Sequence, residues 1–343
     1  DYETGDDGKM LSTVLDPKVA SHELLSDDWT VQSVLKRIAS STSPRYHALI
    51  DTGALITGYS NQEVAAYLLE HGLEWCDGVV FLDENDQKQV LVRATGRAVW
   101  ADQCGVPLER RFAFYDQIHT TGMDIKHVVN ACSVITLGKD MVFRDYVQGA
   151  YRMRGIGAGQ RIHLYIIPEV ADLMRRELLT CGQQSAISSG EEDREKVLLS
   201  VVAWLVINSM MSEQMQWSML CLQNVSNIYR KNAFNRILLG IDAFSAGTAN
   251  DSSSSSDPDP IARLPLRRSL QVFDEPIDFS LEASVPDPIP FEKKLRDLLD
   301  SHQSFIVSES QHAVGHRLLN EVAELSLIND SANRLDTEQE REQ

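Results

Sequence analysis

Six short and almost fully apolar runs recur between residues 45 and 170, and they limit the fold of this chain more than any other feature. In chain order the runs read YHALI, GVVFLD, QVLVRA, RFAFYD, CSVITL and RIHLYII. Apolar runs of this length, bounded by turns, are typical of strands that are buried on both faces of a sheet. Helical patterns separate some of them: Ser60 and Glu63 match a capping box, and MVFRDYVQGAYRMRG has helical spacing. Residues 45–170 are therefore predicted to form an α/β domain with a mostly parallel sheet flanked by helices.

The rest of the chain differs from this region in composition. Two apolar-rich helical stretches follow the α/β region, VADLMRRELL and a second over residues 191–240 that is predicted to be broken at least once, whereas FSAGTANDSSSSSDPDP cannot bury apolar surface. The predicted organisation is a polar, partly helical lead-in (1–44), the α/β domain (45–170), a helical extension (171–240), a disordered Ser/Asp-rich linker (241–262), a short helical region (263–328) and a charged tail (329–343).

Charge and hydropathy disfavour several classes of partner. The formal net charge is -18 at pH 7, which makes unspecific binding to nucleic acid or to an anionic membrane unfavourable. No apolar run approaches the roughly 20 residues that span a bilayer, so no membrane partner is expected. The chain begins at Asp1 without a signal pattern and is expected to be a piece of a longer protein.

The cysteines indicate a reducing compartment. Their number is odd and no two are spaced as a CxxC pair, which favours unpaired thiols in an intracellular, cytoplasmic protein and predicts no metal site. The five cysteines are Cys76, Cys104, Cys132, Cys181 and Cys221.

Two segments near the ends of predicted strands carry the candidate contact residues. The loop HTTGMD follows RFAFYD, and its glycine gives the backbone room to approach a ligand. QGAYRMRGIGAGQR places two arginines at a helix end before a glycine turn, which suits recognition of phosphate by planar guanidinium groups. The alternative is that the arginines pair with surface carboxylates. The candidate residues for contact with a phosphate or a partner are Thr120, Thr121, Gly122, Asp124, Gln148, Arg152 and Arg154.

Both segments are expected on the same edge of the sheet, because open α/β sheets bind ligands beyond the carboxyl ends of their strands. Asp124 is expected to be buried there. The chain contains no G-x-x-x-x-G-K-[ST] loop, since Gly138-Lys139-Asp140 lacks both the spacing and the hydroxyl. By itself the chain is therefore expected to bind no nucleotide or other cofactor.

The succession of a strand, a Thr/Gly/Asp loop, a strand and a Gln-x-x-x-Arg helix resembles the second RecA-like lobe of superfamily 2 helicases. HTTGMDI is similar to the loop motif, and QGAYRMRG to the arginine motif at Gln148 and Arg152. The second arginine of that motif would fall at Gly155, whereas this chain has Arg154 one residue earlier. The resemblance implies that ATP and magnesium are held by a missing N-terminal lobe of the full-length protein.

Longer segments resemble another group of proteins. LIDTGALITGYSNQEVAAYLL, YDQIHTTGMDIKH, ITLGKDMVFRDYVQGAYRMRGIGAGQ and FDEPID are similar to the C-terminal part of very large eukaryotic proteins catalogued as ubiquitin thioesterases. The resemblance is dense over residues 45–170 and looser over 270–310. It implies a thiol-dependent ubiquitinyl hydrolase, a cysteine peptidase of ubiquitin-dependent protein turnover, with ubiquitin or a ubiquitinated protein as its partner.

The implied activity needs a thiolate within hydrogen-bond reach of a histidine that is oriented by Asn or Asp. Cys104 and His119 lie in the densest part of the resemblance, with Asp116 or Asp124 to orient the imidazole, and Cys76 is a weaker candidate. The alternatives are an inert buried thiol and a histidine that only satisfies polar neighbours. Three functions stay open: the ubiquitinyl hydrolase, half of an ATP-driven helicase-like remodelling protein, and a degenerate lobe that serves as a binding scaffold.

Overall fold

A computed structural model describes residues 5–180, 182, 194–245, 260–279 and 291–324 of the 343-residue chain. The chain divides into two compact units, Asp1–Met210 and Met211–Gln343. The charged tail and residues 246–259 of the Ser/Asp-rich linker lie outside the described residues.

An eight-stranded sheet organises the first unit. The strands, in chain order, are β1 (Ala20–Leu24), β2 (Ala48–Ile50), β3 (Gly78–Leu82), β4 (Lys88–Val92), β5 (Arg97–Trp100), β6 (Arg111–Tyr115), β7 (Cys132–Thr136) and β8 (Arg161–Ile166). Their order across the sheet is β1-β8-β7-β2-β6-β3-β4-β5. The six strands from β1 to β3 in this order are parallel, whereas β4 and β5 extend the sheet antiparallel. The predicted α/β fold with a mostly parallel sheet is confirmed.

Burial explains why the apolar runs form strands. Every residue of β2, β3 and β7 is buried, as expected for central parallel strands that are covered on both faces. β4 and β5 keep several exposed or half-exposed residues, because they lie at the antiparallel end of the sheet.

The helices of the first unit cover this sheet. They are α1 (Asp6–Leu15), α2 (Val31–Ser40), α3 (Asn61–Glu70), α4 (Phe143–Ala150), α5 (Pro168–Thr180) and the N-terminal part of α6 (Arg194–Ser245). The predicted capping box begins α3: the Glu63 carboxylate accepts from the Ser60 amide at 2.7 Å, and the Ser60 hydroxyl accepts from the Glu63 amide at 3.3 Å. The chain past Ala150 forms turns, so Gln148 lies in α4 whereas Arg152 and Arg154 follow it.

The two faces carry different connections. From β2 to β3 the chain moves one way across the sheet through α3, and from β7 to β8 it moves the other way through α4. Because crossovers between parallel strands are right-handed, these two connections cover opposite faces. The contact of α2 with α3 and that of α1 with α4 agree with this division. The sheet is therefore wound in both directions from its middle.

The polar lead-in belongs to the sheet. β1 pairs with β8 in parallel register, with Ser21 opposite His163. In this lead-in, which the sequence predicts to be partly helical, Val31–Ser40 forms α2 whereas Ala20–Leu24 forms a strand. β1 lies at the edge of the sheet and its polar residues are half-buried, so it lacks the apolar run that marks the central strands.

Helix α6 is a single helix of 52 residues, and the predicted break is absent from it. The boundary between the two units falls within it, between Met210 and Met211. Its stretch Arg194–Ile241 is long and apolar enough to cross a membrane by length and composition, with a mean hydropathy of 1.4 and 44% burial in its most apolar window. A helix buried in the core of a protein passes the same test, and Trp204 of α6 is fully buried in the first unit.

The second unit is helical, as the sequence predicts. Beyond Met210, α6 packs with α7 (Leu266–Asp274), α8 (Phe291–Ser301) and α9 (Glu309–Glu324) around a core of its own. The buried residues of this core include Tyr229, Leu295 and Phe305. The sequence predicts disorder for residues 241–262. Of these, residues 241–245 instead continue α6, and residues 260–262 form a turn.

Candidate functional site

The connections of the sheet change direction between β2 and β7. The chain leaves β2 towards β3 and leaves β7 towards β8, and in open α/β sheets a ligand crevice forms at such a point. Here hydrogen bonds close the crevice. The Thr52 hydroxyl donates to the Thr136 carbonyl at 2.6 Å, and the Thr136 hydroxyl accepts from the Gly53 amide at 3.0 Å. The two loops are therefore joined where a ligand would enter.

Asp51 anchors the same closure. Its side chain is buried, and its carboxylate accepts from the Leu55 amide (3.0 Å), the Ile56 amide (2.9 Å) and the Thr136 hydroxyl (2.6 Å). Burial raises the pKa of Asp51, and these three hydrogen bonds oppose that rise. Because its carboxylate oxygens accept hydrogen bonds from within the protein, we assign Asp51 a structural role.

Two glycines let the loops after β2 and β7 touch. A Cβ atom on Gly53 would lie 2.5 Å from the Gly138 amide nitrogen, and one on Gly138 would lie 2.5 Å from the Gly53 carbonyl oxygen. Carbon atoms in optimal contact lie roughly 3.5–4.0 Å apart, so neither position accepts a side chain without a shift of the backbone. The backbone itself fills the place that a ligand takes in related sheet topologies.

An open cavity of about 570 Å³ lies at the carboxyl ends of β3 and β6. Its walls come from the β3–β4 turn, the beginning of α3 and the segment that follows β6. Its titratable lining residues are Asp83, Glu84, Asp86, Asp116 and His119. Four carboxyl groups against one imidazole make the cavity attractive to a cationic group and unfavourable for phosphate.

His119 is the buried centre of this acidic wall. Its Nδ1 contacts Asp116 Oδ1, and its Nε2 lies 2.8 Å from Asp86 Oδ1. An ionised carboxylate only accepts hydrogen bonds and a neutral imidazole has one N–H, so the two contacts together require an imidazolium. Burial alone would lower the pKa of His119, but the hydrogen bonds with Asp86 and Asp116 outweigh it and raise that pKa.

The β3–β4 turn holds Asp86 in position. The Asp83 carboxylate accepts from the backbone amides of Asn85 and Gln87, both at 2.9 Å. Asp86 has a left-handed backbone with φ of 59°, a conformation that aspartate tolerates better than most residues. Protonated His119 therefore ties a preformed turn to the segment that follows β6.

The structure does not bring Cys104 and His119 together. The Cys104 carbonyl accepts a hydrogen bond from the side chain of Arg111, the first residue of β6, at 3.0 Å, whereas His119 follows the last residue of that strand. A five-residue strand spans about 13 Å, and the contacts of the two residues lie at its opposite ends. Of the two acids predicted to orient the imidazole, Asp116 contacts it.

Three further cysteines are buried thiols. Burial raises the pKa of Cys76, Cys132 and Cys221 to about 11 in each case, and the Cys76 thiol donates to the Gly78 carbonyl. A thiol with that pKa is almost fully protonated near neutral pH and is a poor nucleophile. Cys181 lies outside the described residues.

The loop and arginine segments pack against each other. Arg152 donates to the carbonyls of Met123 and Gln148, and the Arg154 guanidinium lies 3.2 Å from the Asp124 carboxylate. The expectation that these segments lie together is confirmed. The expectation that Asp124 is buried is wrong, because its side chain is 55% exposed and that of Arg154 is 58% exposed. Arg152 is held by backbone carbonyls, whereas Arg154 forms a solvent-exposed ion pair.

The small residues of the loop have different environments. Thr120 is buried and its hydroxyl donates to the Gln117 carbonyl at 2.8 Å. Thr121 and Gly122 are exposed, and Gly122 has a left-handed backbone with φ of 75° that favours glycine. Thr121 and Gly122 are therefore accessible to a partner, whereas Thr120 is buried and has a structural role.

Three acidic residues that shape these sites are not among the candidate residues predicted from the sequence. Asp83 and Asp86 lie in FLDENDQKQV, where DEND separates two apolar strands and has the composition of a hairpin turn. That turn lies at a carboxyl edge of the sheet, which is the signal that could have pointed to it. Asp51 directly follows the strand YHALI and carries the same signal.

Within the described ranges, no group of three or more His, Cys, Asp or Glu side chains is arranged to hold a metal ion. The chain matches no protein-family model, no curated protein and no solved structure. Its own geometry defines the class of protein as an α/β lobe whose sheet is wound in both directions. The crevice between β2 and β7 is closed, and an acidic cavity lies at the neighbouring ends of β3 and β6.

Proposed function

We propose that this chain is a partner-binding part of a larger thiol-dependent ubiquitinyl hydrolase, and that the nucleophilic cysteine comes from elsewhere in that protein. One observation carries the proposal. The cavity at the ends of β3 and β6 presents His119 between two carboxylates, with no cysteine among the described residues that line it. The hydrolase class itself is supported by the long segments that resemble ubiquitin thioesterases.

The chemistry of the cavity favours binding over catalysis. A cysteine peptidase uses a neutral imidazole to take the proton of a thiol, whereas both ring nitrogens of His119 are occupied by carboxylates. The exposed carboxylates of Glu84 and Asp86 suit a lysine or arginine side chain of a protein partner. Ubiquitin or a ubiquitinated protein is the partner to which the resemblance points.

The test combines binding and labelling. Titration calorimetry measures the affinity of this chain for ubiquitin, and Glu84→Lys is expected to weaken it about tenfold, or ~1.4 kcal/mol. Asp102→Lys is the matched control, because it reverses an exposed charge that does not line the cavity. A ubiquitin probe with a C-terminal electrophile is expected to label no cysteine of this chain. An adduct that disappears in Cys104→Ala would overturn the proposal, and so would an absence of ubiquitin binding.

A second candidate is the second RecA-like lobe of an ATP-driven remodelling protein. Its specific support is the packing of Arg152 and Arg154 against the HTTGMD loop. The exposed pair of Arg154 with Asp124 is weak in water, so Arg154 is able to turn to a phosphate that another lobe holds. The closed β2–β7 crevice is consistent with a lobe that binds no nucleotide by itself.

ATP hydrolysis by the full-length protein tests this second candidate. Arg154→Ala is expected to lower the rate by about 10³-fold or more with nucleotide binding retained, as for other arginines that contact a transferring phosphate. Arg144→Ala, which removes an exposed arginine of α4, is the control. Hydrolysis that is indifferent to Arg154→Ala and Arg152→Ala would exclude the candidate. A full-length protein without hydrolysis would leave the lobe as a binding scaffold.

A further inference from the structure

Two rows of exposed apolar side chains run along neighbouring helices of the second unit. Each row has members at positions i, i+4 and i+7, which places them along one side of the helix. All six side chains are between 40% and 55% exposed. The rows are Phe234, Leu238 and Ile241 on α6, and Leu266, Leu270 and Phe273 on α7.

The two rows border a single groove. The Arg230 guanidinium lies over the Phe273 ring, 6.0 Å from its centroid, and a Cβ atom on Gly240 would lie 3.3 Å from the Leu266 side chain. The end of α7 is therefore beside Arg230 and its beginning is beside Gly240, so the helices run antiparallel. The apolar rows thus lie on two adjacent helices, and we call the surface between them the groove.

The groove is basic although the chain is strongly acidic. Residues 230–241 and 263–275 contain six cationic and two anionic side chains, whereas the whole chain has a net charge of -18. Arg268 is held in an ion pair. Lys231 and Arg267 are exposed, and within the described part of the chain they make no ion pair. The apolar rows are thus flanked by positive charge that the second unit leaves available.

We propose that this groove binds an acidic amphipathic helix of a partner protein. Apolar side chains of the partner at i, i+3 or i+4, and i+7 would fill the groove, which is a recurring mode of helix recognition. Its Asp and Glu side chains would face Lys231 and Arg267, and opposite charges across an interface favour the correct partner and its approach. This inference is independent of the function proposed for the first unit.

The partial burial of the six side chains favours a helix over a lipid surface. Helices that lie in a membrane interface bury an apolar face several ångströms deep among the acyl chains. The six side chains here are about half covered and lie on two adjacent antiparallel helices. A partner helix, which is about 10 Å wide with its side chains, fits along the line between two adjacent helices, whereas a flat bilayer contacts only their outer surfaces.

The test selects binders from a displayed library of random helical peptides of about 14 residues, or four turns, with the 343-residue chain as bait. Enriched peptides are expected to combine Asp and Glu with Leu or Phe at i, i+3 or i+4, and i+7. Leu238→Asp and Leu270→Asp are each expected to weaken their binding about tenfold or more. Leu220→Asp is the matched control, because Leu220 is 61% exposed on α6 and lies outside the groove.

Charge is tested separately. Arg267→Glu is expected to weaken binding of the enriched peptides, with a larger effect at low ionic strength than at high. Circular dichroism verifies that each variant keeps its helical content. Peptides that are basic or neutral, or that bind Leu238→Asp as well as the parent chain, overturn the proposal.

Two other occupants would also overturn it. Binding to phosphatidylserine vesicles that Leu238→Asp abolishes, with no peptide enriched, would assign the groove to a membrane. Concentration-dependent dimerisation that Leu270→Asp abolishes would assign it to a second copy of this chain.

Discussion

The carboxyl ends of β2 and β7 and those of β3 and β6 lie in the same parallel sheet, yet the first pair is closed and the second is open. Between β2 and β7, Gly53 and Gly138 bring the two loops into backbone contact, and Thr136 joins them by hydrogen bonds. Between β3 and β6, the β3–β4 turn and the segment after β6 stand apart around a cavity, and His119 bridges them.

The difference between these two ends of the sheet shows where this fold leaves space for a ligand. The closed end is held by the contact of two glycines and by short hydrogen bonds that include the buried Asp51 carboxylate. The open end is held by one imidazolium between two carboxylates, a contact that depends on protonation. Strand order alone predicts a ligand crevice at the closed end, whereas the cavity lies at the open end.

The largest expected effect tests the closed end. Gly53→Val would drive its side chain into the Gly138 backbone and is expected to lower the free energy of unfolding by about 3 kcal/mol. Urea unfolding measures the change. Gly105→Ala is the control, since nothing lies within 4 Å of the added Cβ atom, and a change within about 0.5 kcal/mol is expected there. A loss below about 1 kcal/mol in Gly53→Val would show that the loops separate easily, and the comparison would fail.

A smaller effect is expected from the hydrogen bonds of that closure. Thr136→Val removes a donor to the buried Asp51 carboxylate and an acceptor of the Gly53 amide. The loss of one of the three hydrogen bonds to buried Asp51, and of the partner of the half-buried Gly53 amide, is expected to cost about 2 kcal/mol. Thr121→Val replaces an exposed threonine and provides the control. Equal stability of the two variants would mean that water enters the β2–β7 crevice and replaces the hydroxyl.

The open end is expected to depend on pH. The folded-state pKa of His119 is raised above its unfolded value of about 6.5, so its stabilising contribution is complete below pH 6.5 and is lost as the pH rises through the folded-state pKa. The difference in unfolding free energy between the parent chain and His119→Gln is therefore expected to be about 1 kcal/mol larger near pH 6 than at high pH, where the neutral imidazole keeps one N–H donor. Comparison with the variant cancels the opposite contributions of His127 and His163, whose pKa values burial lowers to about 4.

Histidine NMR titration sharpens the same prediction. Asp86→Asn keeps a residue that tolerates a left-handed backbone and removes one carboxylate from the imidazole. It is expected to lower the pKa of His119, whereas Glu84→Gln, which removes a carboxylate from the same cavity without a contact to the ring, is expected to change it much less. A His119 pKa that is equal in the parent chain and in Asp86→Asn would show that the bridge does not hold the open end.

The strands were predictable because burial on both faces demands uninterrupted apolar runs, and all six runs between residues 45 and 170 form strands. β1 and β5 were not predicted, because edge strands tolerate polar or exposed residues such as Ser21, Glu23 and Arg97. The sequence predicts broken helices where α6 is continuous, because nothing in the local residue pattern shows that the two halves of α6 belong to different units.

The sites were less predictable because they depend on strand order. Asp86 and His119 are 33 residues apart in the chain and meet only because β6 inserts between β2 and β3. The contact of Gly53 with Gly138 likewise requires β2 and β7 to be neighbours. Cys104 and His119, which are close in sequence, are separated because β6 runs between them.

The smallest expected effect on stability concerns the arginine segment. Arg154→Ala breaks a solvent-exposed ion pair with Asp124 and is expected to change the free energy of unfolding by about 0.5 kcal/mol or less, with high salt reducing the change further. A double-mutant cycle with Asp124→Ala measures the pair directly. The residues that close the β2–β7 end are expected to stabilise the fold strongly, whereas Arg154 is expected to give up its partner at little cost. A coupling energy well above 1 kcal/mol would make Arg154 a structural residue like Thr136, and the second candidate function would lose the mobile arginine on which it depends.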